Sequence, residues 1–506
     1  MRVILIEPPT IRPLSESQNV ECNAPIGLLY LAASLQENSH EVKVLDAFVE
    51  GYHLHKSLPN DEVFIGLSFE DIVKEIQNFE ADVVGISALF YFNLPTVVSL
   101  CNHIKSALPD LKIVLGGTPP TVMFEEIIKE TSIDFIIRKE GEYIFPELLS
   151  CLDSPGEVKG VVWKNNGRVV INPDASYPKD LDALPLPNRD LVDLYKYIRI
   201  EKPHGHVREK KNFASIVTSR GCPFSCSFCS AKDVHGRKIR YRNAENVLNE
   251  IDLLVNKYDI DEIHVVDENF SFDRQRAMDI MDGLISRGYS DKISWTCPNG
   301  LMIDSLDEQM IDKMQASNCH SVALAFESGD QDVLRRLIKK PLNLKHGHKI
   351  VKYFQENTNI LLTGFFLIGF PGETKKQIAK TINFANNLNL DFTDLSILIP
   401  YPYTRAYDVA LSKGYLRNGS NGDYHKLLPR QANIQTEDFT SRWITSIKEA
   451  DRFLSLIRKK KRTLWFMIGD LFKRNGLDTF RMLIVILQHF VRNDISGDNY
   501  WKQATE

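Results

Sequence analysis

The sequence predicts an α/β protein with two successive parallel-sheet domains followed by a helical region. Short aliphatic runs of strand length alternate with amphipathic segments of helix length twice, over 1–152 and again over 213–410. A proline-punctuated connector, 153–212, separates the two stretches, and 411–506 has helical patterning alone. At roughly 150 residues per domain, 506 residues suffice for about three such units. The 43% hydrophobic and 25% charged fractions are those of a globular protein.

The first domain has the pattern of a doubly wound, flavodoxin-like sheet. Strands of about five residues separated by helices of about ten indicate right-handed βαβ units and a parallel sheet. The predicted strands are Val3–Ile6, Glu41–Leu45, Val83–Ser87, Lys112–Leu115 and Asp134–Ile137, and the predicted helices are Ile26–Leu35, Phe69–Gln77, Thr96–Ala107, Val122–Lys129 and Phe145–Leu152. A ligand of such a domain lies beyond the carboxyl ends of the strands.

The carboxyl ends of these strands are rich in small residues. Glycines and other small residues let a backbone approach a large ligand closely, so we expect a ligand site at this edge. The candidate contacts are Pro8, Ser87, Gly116, Gly117, Thr118, Gly141 and Glu142.

The connector carries one hairpin signal among its prolines. The run VVWKNNGRVVI at 161–171 has two strand-like segments around Asn165-Asn166-Gly167. Asn-Gly is a typical two-residue hairpin turn. We therefore expect a linker with one small hairpin.

The second domain repeats the strand–helix pattern six times. The predicted strands are Ser215–Thr218, Glu262–Val266, Ile293–Thr296, Ser321–Ala325, Leu361–Ile368 and Asp394–Ile399. Six repeats are too few for an eight-fold barrel, and they predict a partial, open (βα)6 barrel instead. In such barrels the chemistry takes place at the carboxyl ends of the strands.

Three of the eight cysteines lie close together in the segment SRGCPFSCSFCS. Cys222, Cys226 and Cys229 form a Cys-x3-Cys-x2-Cys motif directly after the first barrel strand. Three thiolates at this spacing suit an iron–sulfur cluster or zinc. A structural zinc would need a fourth ligand, and the nearest later candidate is His235. Three protein ligands leave one coordination position for a group from outside the protein, and three unliganded cysteines are the remaining alternative.

The motif, with Phe228 before its last cysteine, resembles that of the radical S-adenosylmethionine (SAM) superfamily. The resemblance implies that the three cysteines hold a 4Fe–4S cluster whose fourth iron binds SAM, and that an electron from the cluster cleaves SAM to a 5′-deoxyadenosyl radical. It also implies SAM contacts from Phe228 and from the ends of later strands. These are Asp267, Glu268 and Asn269 in VVDENF near the amine, Glu327 and Ser328 in AFESGD near the ribose and carboxylate, and Gly364 and Ile368 in GFFLIGFPGET beside the adenine. Asp267-Glu268-Asn269 replaces the usual Gly-Gly-Glu, so which side chain contacts the amine stays open.

The first domain resembles the cobalamin-binding domain of cobalamin-dependent members of this superfamily. The resemblance rests on PIGLLYLAASL, HEVKVLDA, the Gly116-Gly117-Thr118 segment and EGE-xxFPELL, and together with the barrel it covers about 1–410. Many cobalamin-binding folds supply a lower histidine ligand from Asp-x-His-x-x-Gly. The Asp-x-His pairs here, at Asp233/His235 and Asp423/His425, lie outside this domain and lack the glycine. We therefore expect cobalamin bound without a histidine ligand, or a domain that keeps the fold without the corrin.

The resemblance implies methyl transfer from SAM to an unactivated carbon of a small-molecule or lipid-like metabolite. It implies a 4Fe–4S cluster, SAM and cobalamin as cofactors, and a reductant such as flavodoxin or ferredoxin as partner. Oxidative cyclisation or rearrangement is the alternative reaction. The alternative outside enzymes is an iron–sulfur or corrin carrier or sensor.

The charge pattern bears on partners and location. The net charge of −5 gives no global basic field for nucleic acid. No apolar run reaches the roughly 18 residues of a membrane-spanning helix, and the chain is expected to be cytoplasmic. The basic stretch 452–481, with RKKKR at 458–462 and WFMIGDLF after it, predicts either a peripheral membrane contact or a helix docked on the barrel.

Aromatic residues follow two predicted strand ends. Phe90, Tyr91 and Phe92 follow the third strand and are candidates to face the corrin or to form a domain interface. Tyr401 and Tyr403 follow the sixth barrel strand and are candidate substrate contacts.

Overall fold

The N-terminal part is built on a seven-stranded sheet in a computed structural model that describes residues 1–14, 17, 20–59, 61–130, 132–205, 209–417 and 432–458. The strands are β1 (Arg2–Glu7), β2 (Thr10–Pro13), β3 (Glu41–Asp46), β4 (His55–Leu58), β5 (Glu62–Ile65), β6 (Val83–Ser87), β7 (Lys112–Gly116), β8 (Phe135–Ile137), β9 (Val161–Asn165) and β10 (Arg168–Ile171). The helices are α1 (Ile26–Glu37), α2 (Ala47–Glu50), α3 (Phe69–Phe79), α4 (Leu94–Ala107), α5 (Thr118–Val122), α6 (Phe124–Glu130), α7 (Ile144–Ser150) and α8 (Leu194–Ile200). The sheet order is β10-β9-β8-β7-β6-β1-β3, with the five predicted strands parallel.

Two parts of this region differ from the simple pattern of the sequence. The hairpin of β9 and β10 forms, but β9 pairs antiparallel with β8 and so extends the main sheet instead of standing alone in a linker. Val161 and Val162 are fully buried there. A small antiparallel sheet, β2-β5-β4, was not predicted. Each of its strands is four residues long, which is too short to leave a periodic signal in the sequence. The boundaries at 152, 212 and 410 stay predictions.

Six parallel strands in the order β11-β14-β15-β16-β17-β18 form the predicted partial barrel. Its elements are β11 (Phe213–Ile216), β12 (Ser219–Arg220), α9 (Ala231–Val234), β13 (Arg240–Tyr241), α10 (Ala244–Tyr258), β14 (Glu262–Val265), α11 (Arg274–Ser286), β15 (Ser294–Leu301), α12 (Glu308–Ala316), β16 (Cys319–Glu327), a π-helix (Val333–Ile338), α13 (Leu344–Asn357), β17 (Leu361–Ile368), α14 (Lys375–Asn387), β18 (Phe392–Ile397) and α15 (Arg405–Ser412). The first strand ends two residues before its predicted end because Thr218 bonds to Asp267 instead of the neighbouring strand.

Alternation along β1 explains how the first sheet is covered on both faces. Val3 and Leu5 pack into one hydrophobic cluster, while Ile4 and Ile6 pack into another. Successive strand side chains point to opposite faces, so a continuous aliphatic run needs helices on both sides. The barrel encloses a third, larger cluster.

Helix starts in the barrel follow the local sequence. Asn243, Asp273 and Asp307 precede α10, α11 and α12, and each side chain accepts a hydrogen bond from the backbone N–H three residues on. Such caps satisfy an N–H that has no partner in the first helical turn. They set where each helix begins and therefore how long each strand-end loop is.

The last described element is α16 (Ser441–Arg458). Of the basic stretch 452–481, predicted to contact membrane or barrel, the part after residue 458 lies outside the described residues, as does the rest of the predicted helical region up to 506. Among the helices that the structure describes, none is long and apolar enough to cross a membrane.

Candidate active site

The cysteine motif lies on the loop between β12 and α9, at the carboxyl end of the first barrel strand. Gly221 has a φ of 101°, and a side chain on it would come within 2.6 Å of the Lys238 carbonyl oxygen, so this turn requires glycine. The Cys222 N–H donates to the Gly236 carbonyl at 3.1 Å, and the Ser227 N–H donates to the Ile338 carbonyl at 2.8 Å. Phe228, predicted to contact SAM, packs edge-on against Phe370 at 6.1 Å.

The three thiols on this loop are reduced and half-buried. Burial raises the pKa of Cys226 to about 12 and also raises the pKa of Cys229. Neutral thiols in such surroundings become thiolates when they bind a soft metal centre, which releases the protons. Within the described ranges, no three His, Cys, Asp or Glu side chains are arranged to hold a single metal ion. The donor set fits an iron–sulfur cluster held by three cysteines.

His235 is committed to carboxylates. Its Nδ1 lies 3.2 Å from Glu140 Oε1, and its Nε2 lies 3.5 Å from Glu268 Oε1. Both ring nitrogens therefore already face acidic partners in this geometry. The residue that the sequence offered as a fourth zinc ligand is used elsewhere.

Asp267, Glu268 and Asn269, which lie just after β14, differ in the contacts that their side chains make. The Asp267 carboxylate accepts hydrogen bonds from the Thr218 N–H at 2.6 Å, the Thr218 hydroxyl at 2.5 Å and the Ser219 hydroxyl at 2.6 Å. It therefore shapes the approach to the cysteine loop. Glu268 is 28% exposed at its side chain, and Asn269 is buried with its Nδ2 unpartnered. Glu268 and Asn269 are the two polar groups here that remain available to a ligand.

Glu327 lies at the end of β16 with a φ of 65°. A non-glycine residue in this region of the backbone is uncommon and often marks a functional position. Its Oε1 lies 3.1 Å from Lys340 Nζ, and both side chains are 14% exposed. The charges of both residues act on Cys226. Lys340, which follows the π-helix, is a site residue that the sequence analysis missed.

Ser328 and two residues of β17, Gly364 and Ile368, are buried within the barrel. Ser328 is buried, and its hydroxyl lies 3.0 Å from the Thr381 hydroxyl. A side chain on Gly364 would come within 2.4 Å of Leu390 Cδ1, and Ile368 is fully buried. These predicted SAM contacts therefore also have packing roles within the barrel.

Glu373 holds the turn after β17. Its Oε2 accepts hydrogen bonds from the N–H groups of Gly369 at 2.7 Å and Phe370 at 3.0 Å. Burial raises the pKa of Glu373 to about 8, against the lowering effect of these two bonds. Because Phe370 also contacts Phe228 of the cysteine motif, this turn packs against the cysteine loop and helps to hold it in place.

The strand ends of the first domain meet at one edge. Ser87 and Gly116 are neighbours in register, Pro8 follows β1 and is buried, and Thr118 begins α5. A side chain on Gly116 would find no atom nearer than 3.9 Å, so space lies open above it. Leu89 and Phe90 are each 51% exposed beside this edge, and Phe90 stacks on Phe92. Open backbone with exposed apolar side chains fits a large, partly apolar ligand such as a corrin.

Gly117 has a structural reason to be glycine. Its φ is 116°, and a side chain there would lie 2.2 Å from the Ala88 carbonyl oxygen. The residue was predicted as a ligand contact on the ground that its small size leaves room for a ligand. The room that it leaves is occupied by the protein's own backbone.

The segment from 139 to 142 joins the two domains through charged groups. A side chain on Gly141 would meet Leu31 and Ile137 only at ordinary contact distances, whereas Glu142 is buried and pairs with Arg220 at 2.6 Å. Glu140, also buried, pairs with Arg240 at 2.6 Å. Burial would raise the pKa of Glu140, but Arg240, His235 and Arg220 lower it to about 2.

The aromatic residues divide between interface and free surface. Tyr91 stacks on Tyr401 with ring centroids 4.5 Å apart, which packs the first domain against the end of β18. The Tyr403 hydroxyl donates a hydrogen bond to Glu126, although Tyr403 is 51% exposed. Tyr91 and Tyr401 therefore form a domain interface, and Phe90 remains exposed.

Comparison with known proteins agrees with both halves of this architecture. A B12-binding domain model matches residues 20–149, and a radical SAM superfamily model matches residues 216–385. An uncharacterised methyltransferase of Pyrococcus horikoshii is 30% identical over 482 residues, which cover 94% of this chain and 96% of that protein. The chain belongs to the cobalamin-binding radical SAM family.

Further relatives of this family carry different reaction names. The cytidylyl-2-hydroxyethylphosphonate methyltransferase of Streptomyces wedmorensis is 31% identical over 396 residues, 72% of this chain and 73% of that protein. The anaerobic magnesium-protoporphyrin IX monomethyl ester cyclase of Cereibacter sphaeroides is 25% identical over 67% of this chain and 54% of that protein. The solved structure of the cobalamin-dependent SAM radical enzyme OxsB has the same fold, with a TM-score of 0.71, 16% identity, and coverage of 99% of this chain and 74% of that one.

The chain is therefore an enzyme of this family, and its cofactors are a 4Fe–4S cluster, SAM and cobalamin. Cobalamin belongs to the first domain, and the cluster and SAM belong to the barrel.

Substitutions at Gly116 and Gly117 distinguish a glycine that leaves space for a ligand from one that the fold itself requires. We expect Gly116→Val to lower the cobalamin bound per chain at least tenfold with Tm nearly unchanged, because the new side chain fills open space. Gly117→Val is expected to lower Tm by several degrees or prevent folding, because it collides with the Ala88 backbone. Absorbance of bound cobalamin and a thermal melt on the full chain measure both. Full cobalamin binding by the Gly116→Val variant would contradict this placement of the corrin.

Proposed function

We propose that this enzyme transfers a methyl group from SAM to an unactivated carbon of a small molecule. The observation that carries the proposal is that the cysteine loop and the proposed cobalamin site lie next to each other. The cysteine loop at the barrel strand ends is tied directly to the strand-end edge of the cobalamin-binding domain by the Arg220–Glu142 ion pair at 2.6 Å. When bound, the cluster supplies the electron for SAM cleavage and cobalamin supplies a methyl carrier.

The residues around the cysteine loop have separate roles in this proposal. Cys222, Cys226 and Cys229 hold the cluster. Glu268 binds the SAM amine, because the Asp267 carboxylate already accepts three hydrogen bonds from Thr218 and Ser219. The unpartnered Nδ2 of Asn269 is a donor, so Asn269 contributes to the same site by donating to an acceptor atom of SAM.

A cation and an aromatic ring complete the proposed SAM pocket. Lys340 binds the SAM carboxylate, and Glu327 orients Lys340 and faces the ribose. Phe228 forms one wall, while Ser328, Gly364 and Ile368 support the adenine side from within the barrel. A zwitterionic amino acid group suits this pairing of carboxylate and ammonium side chains.

Cobalamin binding is proposed at the edge formed by Pro8, Ser87, Gly116, Thr118 and Gly141. Gly117 and Glu142 act there indirectly, by shaping the loop and by docking the barrel. No Asp-x-His-x-x-Gly sequence is present, so we propose cobalamin without a lower histidine ligand. Its absorption spectrum is the test, and the spectrum of a nitrogen-ligated cobalt would contradict it.

The substrate is proposed to bind between the two domains. Exposed Leu89 and Phe90 on one side and Tyr403 on the other give this region an apolar character that suits a hydrophobic or lipid-like compound. A reductant such as flavodoxin or ferredoxin supplies the electrons that the reaction consumes. A peripheral membrane contact through 452–481 is part of the same proposal, and vesicle co-sedimentation tests it.

Product stoichiometry tests the reaction. With its substrate and anaerobic reductant, the enzyme is expected to form about one S-adenosylhomocysteine and one 5′-deoxyadenosine per methylated product. The first records transfer of a methyl group from SAM, and the second records hydrogen abstraction from the substrate. Mass spectrometry with methyl-labelled SAM measures all three compounds. 5′-Deoxyadenosine formation with no methylated product would contradict methyl transfer.

The second candidate reaction is oxidative cyclisation or rearrangement, which the cyclase among the relatives favours. Such an enzyme forms 5′-deoxyadenosine without stoichiometric S-adenosylhomocysteine. A carrier or sensor would form neither compound.

A further inference from the structure

His235 occupies a bridging position between the two domains. It directly follows α9, and its N–H donates to the Ala231 carbonyl at 2.8 Å. Its own carbonyl accepts a hydrogen bond from Arg240 Nη2 at 2.9 Å. The backbone of this residue is therefore held on both sides, which fixes the point from which its side chain projects.

The ring of His235 connects one carboxylate from each domain. Nδ1 lies 3.2 Å from Oε1 of Glu140 in the cobalamin-binding domain, and Nε2 lies 3.5 Å from Oε1 of Glu268 in the barrel. Burial alone would lower the pKa of His235, but these two carboxylates raise it above its ordinary value. A protonated ring donates at both nitrogens, so it can hold both acids at once.

Glu140 is held more firmly than Glu268. The Glu140 side chain is 3% exposed and pairs with Arg240 at 2.6 Å in addition to His235. The Glu268 side chain is 28% exposed, and its charge acts on Cys229 in the cysteine loop. The ring of His235 therefore links the firmly held Glu140 of one domain to the more exposed Glu268 carboxylate, which lies beside the cysteine loop.

We propose that His235 is a positioning residue that holds the Glu268 carboxylate at the SAM amine and ties that position to the docked cobalamin-binding domain through Glu140. The inference rests on the proposed role of Glu268 in binding the amine. It adds a reason why the two domains act together: SAM affinity depends on a contact that only the docked domain supplies.

SAM affinity of the reconstituted full-length enzyme tests the proposal. We expect His235→Ala to raise the Kd for SAM about tenfold, because Glu268 loses the ion-pair contact that holds its carboxylate in place. The rate of 5′-deoxyadenosine formation at saturating SAM should stay within about twofold, because the proposal gives His235 a role in binding SAM and none in cleaving it. Anaerobic equilibrium dialysis with labelled SAM measures the affinity, and iron content verifies that the cluster is present.

A second variant tests the link between the domains. Glu140→Gln is expected to raise the Kd for SAM as well, and the double variant should bind SAM no more weakly than His235→Ala alone. Glu126→Ala is the matched control, because it removes the Tyr403 hydrogen bond at another point of the interface and should leave the SAM Kd unchanged. The Glu140→Gln measurement decides the question if His235→Ala loses its cluster.

The outcomes are distinct. A SAM Kd within twofold of wild type in cluster-containing His235→Ala, or additive effects of the two substitutions, would overturn the positioning role. A control variant that weakens SAM binding equally would overturn the specific link through His235. The proposed methyl transfer fails separately, when wild-type enzyme binds and cleaves SAM but yields no methylated product.

Discussion

Replacing Cys226 with alanine is expected to abolish the cluster and all 5′-deoxyadenosine formation. Anaerobically reconstituted wild-type enzyme should contain about four iron and four sulfide per chain, and the variant should contain almost none. The same result is expected for Cys222→Ala and Cys229→Ala, because three thiolates are the protein's whole contribution to the cluster. Iron and sulfide analysis, the near-ultraviolet and visible spectrum, and product analysis measure the effect.

Cys151→Ala is the matched control for this experiment. Cys151 is a half-buried free cysteine like those of the motif, but it lies at the end of α7 in the other domain. Its replacement should leave iron content and SAM cleavage unchanged. Stoichiometric zinc without iron in wild-type protein prepared without oxygen would contradict the assignment of the three motif cysteines.

Glu250→Ala is expected to destabilise the protein strongly. Glu250 is fully buried on α10, where it pairs with Arg189 at 2.7 Å and also with Arg242. Removing one partner of a buried ion pair leaves uncompensated buried charge and costs about 3–5 kcal/mol. Here two guanidinium groups lose their partner, so we expect the upper part of that range. Denaturant unfolding followed by circular dichroism measures the change.

Glu245→Ala is the control on the same helix. Its side chain is 70% exposed and pairs with Arg287 at 2.7 Å, so its loss should change the free energy of unfolding by less than about 1 kcal/mol. A similar loss of unfolding free energy in both variants would contradict the prediction, because it attributes the large effect of Glu250→Ala to burial of the ion pair.

The Glu250 cluster also explains how the connector is held between the domains. Arg189 comes from the connector and donates to the Ser215 carbonyl at 2.8 Å on the first barrel strand. Arg242 donates to the Tyr30 hydroxyl at 3.1 Å on α1 of the first domain. One buried carboxylate therefore neutralises two cations that contact three parts of the chain, and its loss should loosen all of them.

The sequence alone determined the strands of both sheets and the cysteine motif. Aliphatic runs such as Val3–Ile6 need burial on both faces, and that requirement is local, so the periodicity predicts it. The Cys-x3-Cys-x2-Cys spacing is also local, because the three thiols lie on one loop. Family resemblance then supplied the domain pair, and the family-model matches and the fold agree with it.

Only the tertiary structure decided what each candidate side chain contacts. Glu142 is a domain-docking residue because Arg220, 78 residues later, lies 2.6 Å away. Gly117 is required by the carbonyl of Ala88, the residue directly after the neighbouring strand β6, and Lys340 reaches the site from beyond a π-helix. His235, which the sequence offered as a metal ligand, bridges two acids from different domains. Such partners are brought together by domain packing, whose register no short stretch of sequence encodes.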